Sequence, residues 1–131
     1  MTGLDTNVLV RYLTQDDPAQ SRKANALIDG AVHDGERLHL DVVVLCEVVW
    51  VLRGAYEIEK ETVADALGRI LDAAQFHIED RDLLREAVDS FRSGQGDFAD
   101  YVLGLRNRRV GCGATATFDK ALKKSGLFAQ L

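Results

Sequence analysis

The sequence is poor in the residues that build soft-metal or covalent frameworks. Its 131 residues include two cysteines and three histidines. Cys46 and Cys112 lie far apart and form no CxxC pair, and His33, His39 and His77 have no zinc spacing. A thiolate zinc site is excluded, and two separated thiols make no disulfide framework. Long apolar runs are missing as well. The longest, Val42 to Leu52, is interrupted by Glu47 and falls far short of a membrane span. The N-terminus reaches an acid at Asp5 and lacks the basic start and apolar core of a signal peptide. The expectation is a cytoplasmic chain with reduced thiols and no membrane partner. A GxxxxGK[ST] phosphate loop and a GxSxG elbow are also absent.

What is present describes one folded domain. Hydrophobic residues make up 47% and charged residues 28%, a balance outside the disordered range. No repeat or linker-like composition shift divides the chain, so residues 1–131 read as a single domain. The net charge is −5, which argues against a polyanionic partner until its distribution is considered. Arg106, Arg108, Arg109, Lys120, Lys123 and Lys124 face only Asp119 between positions 106 and 124, a local +5. The remainder carries ten basic and twenty acidic residues, −10. A basic C-terminal quarter on an acidic body can steer a polyanion locally, although lysines on a solvated helix face look the same.

The pattern alternates strands and helices. Thr2-Gly3-Leu4 reads as a strand, with Asp5-Thr6-Asn7 as caps for a short helix. Asp16-Asp17-Pro18 opens a second helix, with Gly30 as its expected stop. Arg37 to Asp41 alternates like a strand, and Val42 to Ala55 reads as a buried helix. Helices are expected over Glu59 to Ala74, Asp80 to Phe91 and Asp97 to Arg109, with a strand at Phe76-His77-Ile78. Ala114 to Phe118 reads as a strand, Asp119 to Lys124 as a turn or two of helix, and Leu127-Phe128 as a final strand. This order implies an α/β fold with a parallel sheet covered on both faces, whose ligands bind at the carboxyl ends of strands. Asp5 and Asp119 both follow a strand.

The acids carry the chemical signal. Glu47 has Val43, Val44, Trp50 and Val51 at helical spacing, so it is expected to be buried and therefore paired, neutralised or metal-associated. The competing reading is a rim glutamate reaching solvent or pairing with Arg53 or Arg11. Asp97 and Asp100 share a helical face at a spacing that is repulsive without an intervening cation. Asp5, Asp97 and Asp119 each also read as ordinary N-caps. Together these carboxylates, with no histidine or cysteine beside them, suit a hard divalent ion, Mg²⁺ or Mn²⁺, and point to phosphodiester chemistry.

Asp5-Thr6-Asn7-Val8-Leu9, Glu47 in its apolar helix, Asp97-Phe98-Ala99-Asp100 and Thr117-Phe118-Asp119 occur in that order. The set resembles a PIN domain, in the form found in VapC-type ribonuclease toxins of bacterial toxin–antitoxin pairs. The resemblance covers essentially the whole chain. It implies a three-layer α/β/α fold with a central parallel β-sheet, Mg²⁺- or Mn²⁺-dependent endoribonuclease activity, a homodimer and a cognate antitoxin. It maps the metal-holding and catalytic acids onto Asp5, Glu47, Asp100 and Asp119, with Asp97 in support. Thr6, Asn7 and Thr117 would orient the carboxylates, and Arg106, Arg108, Arg109, Lys120, Lys123 and Lys124 would hold the RNA backbone. Two alternatives are a receiver-like signalling module and a PIN-like domain that binds RNA or a partner without cleaving.

Overall fold

A computed structural model of the chain describes residues 1–131. Its elements are β1 (Thr2–Gly3), α1 (Thr6–Thr14), α2 (Pro18–Asp34), β2 (Leu38–His39), α3 (Val42–Gly54), α4 (Lys60–Asp72), β3 (Phe76–His77), α5 (Arg81–Ser93), α6 (Phe98–Arg109), β4 (Thr115–Thr117) and β5 (Phe128–Gln130), with a 3₁₀ turn at Lys120–Leu122. The chain forms two compact units, Met1–Glu79 and Asp80–Leu131. No helix is long and apolar enough to cross a membrane.

In the first unit, β1, β2 and β3 form a parallel sheet in that order, with Gly3 opposite His39 and His39 opposite His77. Parallel neighbours need long crossovers, and the helix pairs α1–α2 and α3–α4 supply them. Alternation along the strands buries Leu38, Leu40, Phe76 and Ile78. His39 and His77, half-buried on the opposite face, share a hydrogen bond between their Nδ1 atoms at 2.9 Å. Proline at the first position of α2 and the Asp17 carboxylate, accepting from the Gln20 N–H at 3.0 Å, start that helix as the sequence predicts.

Two expectations for this unit need correction. α2 does not stop at Gly30. Its buried face continues through Ala24, Ile28 and Ala31, and interior glycine costs only about 1 kcal/mol, so the helix runs on to Asp34. It closes at Gly35, whose φ of 66° is left-handed. Nor is α3 buried all round. Leu45, Val48, Val49 and Leu52 are buried, while Val43 is 58% and Trp50 77% exposed. Within the unit α3 packs on α1 and α4, which cover one flank and leave the other apolar flank open.

In the second unit α5 packs on α6, and Leu84, Val88 and Phe91 of the one and Phe98, Val102 and Leu105 of the other are buried. Phe91 and Phe98 meet edge-to-face at 6.2 Å between centroids. β4 and β5 pair in parallel, with Thr117 opposite Gln130. The helix expected from Asp119 to Lys124 is only the single 3₁₀ turn, pinned by buried Leu122. Asp80 precedes α5 with φ 58°, a left-handed conformation aspartate tolerates better than most residues.

Candidate active site

In the first unit the two candidate acids sit on helices that pack together, α1 and α3. Asp5 leaves β1 in extended conformation and its Oδ1 accepts the Thr6 N–H at 2.7 Å. Its side chain is exposed, and within the unit Oδ2 makes no hydrogen bond. Thr6 acts on Asp5 through its backbone, not its hydroxyl. Thr6 Oγ1 is buried and has no hydrogen-bond partner, an arrangement that ordinarily costs about 1–3 kcal/mol. Asn7 is exposed one position further on.

Glu47 departs from its expected environment. It is exposed, because Val43 and Trp50 on either side of it lie on the open flank of α3. Apolar neighbours in the sequence desolvate a carboxylate only when another element covers that flank. Burial therefore gives no reason for Glu47 to be paired or neutralised, and it stays a candidate by its position alone.

The second unit gathers the other three acids. Asp97 caps α6 from extended backbone, and Asp100 Oδ2 accepts the Asp97 N–H at 2.9 Å. Asp100 is half-buried and its carboxyl is pushed above the usual range. Loss of hydration is the main cause; the Asp97 N–H bond opposes it, and the negative charges of Asp97 and then Asp119 add lesser upward pushes. Asp119 is thus near enough for Asp100 to feel its charge.

Backbone and β-strand contacts fix Asp119. Its N–H donates to Thr117 Oγ1 at 3.0 Å, and its Oδ1 accepts the Ala121 N–H at 2.9 Å. Gln130 Nε2 donates to the Asp119 carbonyl at 2.8 Å. Thr117 holds the Asp119 main chain and touches no carboxylate, and Gln130 holds the same main chain from a position the sequence did not reveal. Only the β4–β5 register brings it there. Among the basic residues, Arg108 pairs with Glu86 at 3.0 Å and Arg109 with Asp80 at 2.6 Å. Both pairs are exposed, worth about 0–1 kcal/mol, and can open to a phosphate at little cost.

Comparison with known families bears on the chain as a whole. The family model described as "PIN domain" matches residues 4–126. The chain belongs to the PIN-domain family. The α/β/α PIN-like fold class expected from the sequence stands with that membership. The chain is also 26% identical over 126 residues to the VapC ribonuclease of Aquifex aeolicus (strain VF5), a match covering 96% of this chain and 93% of that protein. No solved structure matches the chain significantly.

The PIN chain's residues suit a hard cation in donor chemistry. The acids offer oxygen only, Asp100 is repelled by two neighbouring carboxylates, and Thr6 presents a buried hydroxyl without a partner. In neither unit do three or more Asp, Glu, His or Cys side chains already stand grouped at ligating distance.

Proposed function

We propose that this PIN domain, residues 1–131 acting as one domain, is a Mg²⁺- or Mn²⁺-dependent endoribonuclease and the toxin of a cytoplasmic toxin–antitoxin pair. The observation that carries the reading is the PIN-domain match over residues 4–126 with 26% identity to a VapC ribonuclease, supported by an Asp100 that feels the charges of Asp97 and Asp119. Asp5, Asp100, Glu47 and Asp119 would hold the ion, with Asp97 in support. A bound divalent ion supplies Lewis-acid activation of water and neutralises charge developing on the scissile phosphate. Thr117 and Gln130 keep the Asp119 backbone in place, and the Asp97 N–H fixes the rotamer of Asp100. Glu47, exposed and free of capping duty, is the carboxylate suited to accept the proton of the attacking water. Arg106, Lys120, Lys123 and Lys124 would hold the RNA backbone, joined by Arg108 and Arg109 once their ion pairs open.

PIN membership leaves the receiver-like alternative without support, and the test separates cleavage from binding alone. Purified protein should cleave single-stranded RNA in Mn²⁺ and stop in EDTA. Asp5→Ala or Asp100→Ala should lower the rate at least about a hundredfold with the fold intact, as loss of a metal ligand or its support commonly does. Wild-type cleavage by a well-folded Asp5→Ala protein overturns the site assignment. RNA binding with no cleavage in any divalent ion favours the non-catalytic reading. A cognate antitoxin should relieve the growth arrest caused by the toxin alone, and sedimentation should show a homodimer.

A further inference from the structure

Three lysines meet at a hollow in the second unit that the acids do not occupy. The hollow, of about 400 Å³, is lined by Ser90 and Ser93 from the end of α5, Tyr101 from α6, and Lys120, Lys123 and Lys124 from the 3₁₀ turn and the residues after it. None of the three lysine side chains makes an ion pair or hydrogen bond in the unit, unlike Arg108 and Arg109 nearby. Unpaired ammonium groups around one concavity focus a positive potential there. The hydroxyl of Ser93 donates to the Asp89 carbonyl at 3.2 Å, so the cationic groups at this concavity are the three lysines.

The floor of this hollow is fixed. Tyr101 is 3% exposed, and its hydroxyl oxygen accepts the Gly96 N–H at 3.0 Å. A Cβ at Gly94 would overlap that hydroxyl and crowd the Ser90 carbonyl, so the turn lies on the tyrosine only as glycine. The hollow also adjoins the acids through two elements. Lys120 follows Asp119, which caps the 3₁₀ turn, and Tyr101 follows Asp100 on α6. Positive and negative ground therefore lie side by side in this unit. The volume sits in the range of small-ligand sites, with room for a phosphate and part of its sugar.

We propose that this hollow is a phosphate subsite for the RNA strand, seating a backbone phosphate adjacent to the one that is cleaved. The inference rests on the ribonuclease reading and adds a register to it: the lysines grip one phosphate so that its neighbour meets the acids. Such a grip positions the strand without reading its bases.

The test measures anisotropy of a labelled single-stranded RNA on the full chain in EDTA, where cleavage is off. Two variants separate a built pocket from diffuse charge. One is Lys120→Gln/Lys123→Gln/Lys124→Gln, and the other is Ser93→Phe, a neutral plug at an exposed position of the lining. Both should lower affinity about fivefold or more. The triple variant should also flatten the salt dependence, by about 0.7 in log–log slope for each phosphate that the lysines no longer neutralise. In Mn²⁺ both should raise KM more than they lower kcat. In wild type, RNA titration should shift the amide resonances of Gln95, Lys123 and Ser125, a readout that needs no variant.

A folded plug variant that binds as tightly as wild type, or wild-type amides at those positions that stay still while RNA binds, overturns the subsite. If wild type cleaves RNA while either result holds, the ribonuclease reading survives alone. If RNA fills the hollow and no divalent ion brings cleavage, a phosphate site survives without its register, and the ribonuclease reading falls. No RNA binding, with an acidic peptide shifting the Gln95, Lys123 and Ser125 amides instead, overturns both.

Discussion

The charge on Asp100 should cost the metal-free protein stability, and removing it should show that. Asp100 is half-buried and feels Asp97 and Asp119, so its folded-state pKa lies above its ordinary value. For an acid shifted upward, the folded state holds the proton more tightly than the unfolded chain. Stability then falls as pH rises from the ordinary carboxylate range through the raised pKa, and the cost is complete only above that raised pKa. Unit charges about 4 Å apart repel by roughly 4 kcal/mol at an effective dielectric of 20, and the partial exposure of these acids cuts this to about 1 kcal/mol or less. Asp100→Asn keeps an oxygen to accept the Asp97 N–H and removes the charge. It should melt a few degrees above wild type in EDTA at pH 7, since about 1 kcal/mol corresponds to roughly 2–8 °C across domains of this size class. At pH 4 the gain should shrink. In Mn²⁺ the order should reverse, because wild type gains about 2.7 kcal/mol when the ion stands at a hundred times Kd and the variant gains less. Thermal melts of both proteins in EDTA and in Mn²⁺ measure all of this. A variant that gains as much from Mn²⁺ as wild type would remove Asp100 from the metal site, and an unchanged melt in both buffers would reduce it to a cap.

Other consequences follow from single contacts. Thr6→Val replaces a buried, unpartnered hydroxyl with a methyl of similar shape and should melt at or above wild type; a loss beyond about 1 kcal/mol would show that Oγ1 has a partner after all. Asp16 is held at about 2, chiefly by the Tyr56 hydroxyl donating to Oδ2 at 2.6 Å. Its contribution is present above the ordinary carboxylate pKa and is lost as pH falls from there through about 2. In a carboxyl NMR titration Tyr56→Phe should raise the Asp16 midpoint, and an unmoved midpoint refutes the assignment. Gly94→Ala forces a Cβ against the Tyr101 hydroxyl and should cost about 1–3 kcal/mol in urea unfolding, whereas a neutral result would show that the turn has slack.

Local signals in the sequence were accurate where the chemistry is local. Asp5, Asp17 and Asp119 cap the elements they were expected to cap, because a carboxylate reaches an N–H only one to three residues away. The short strands Phe76–His77 and Thr115–Thr117 fall inside their expected segments. What depends on distant elements was not legible. Nothing near Glu47 in the sequence says which flank of α3 other elements cover, so its apolar neighbours suggested a burial that the fold does not provide. Arg108 and Arg109 looked free for a polyanion until α5 and Asp80 were placed beside them. Gln130 carries no motif, and only the pairing of Thr117 with it brings its amide to Asp119.

The capping and metal-holding readings of these acids are compatible, because a carboxylate has two oxygens. Asp5 uses Oδ1 on the Thr6 N–H, and Asp119 uses Oδ1 on the Ala121 N–H. Each bond occupies one oxygen, freezes the rotamer and leaves the other oxygen's direction fixed. The helix start adds a partial positive charge, worth roughly 0.3–1 kcal/mol near an acid, and so lowers the cost of bringing several anions together before a cation arrives. Asp100 belongs to the same scheme from inside the first turn of α6, held by the Asp97 N–H. In the proposed site, acids at element starts would take from the backbone part of the preorganisation that a metal site otherwise takes from surrounding side chains. Glu47 is the exception. Mid-helix on α3 and exposed, it has no capping bond to freeze it, and that freedom fits the second task proposed for it, moving a proton.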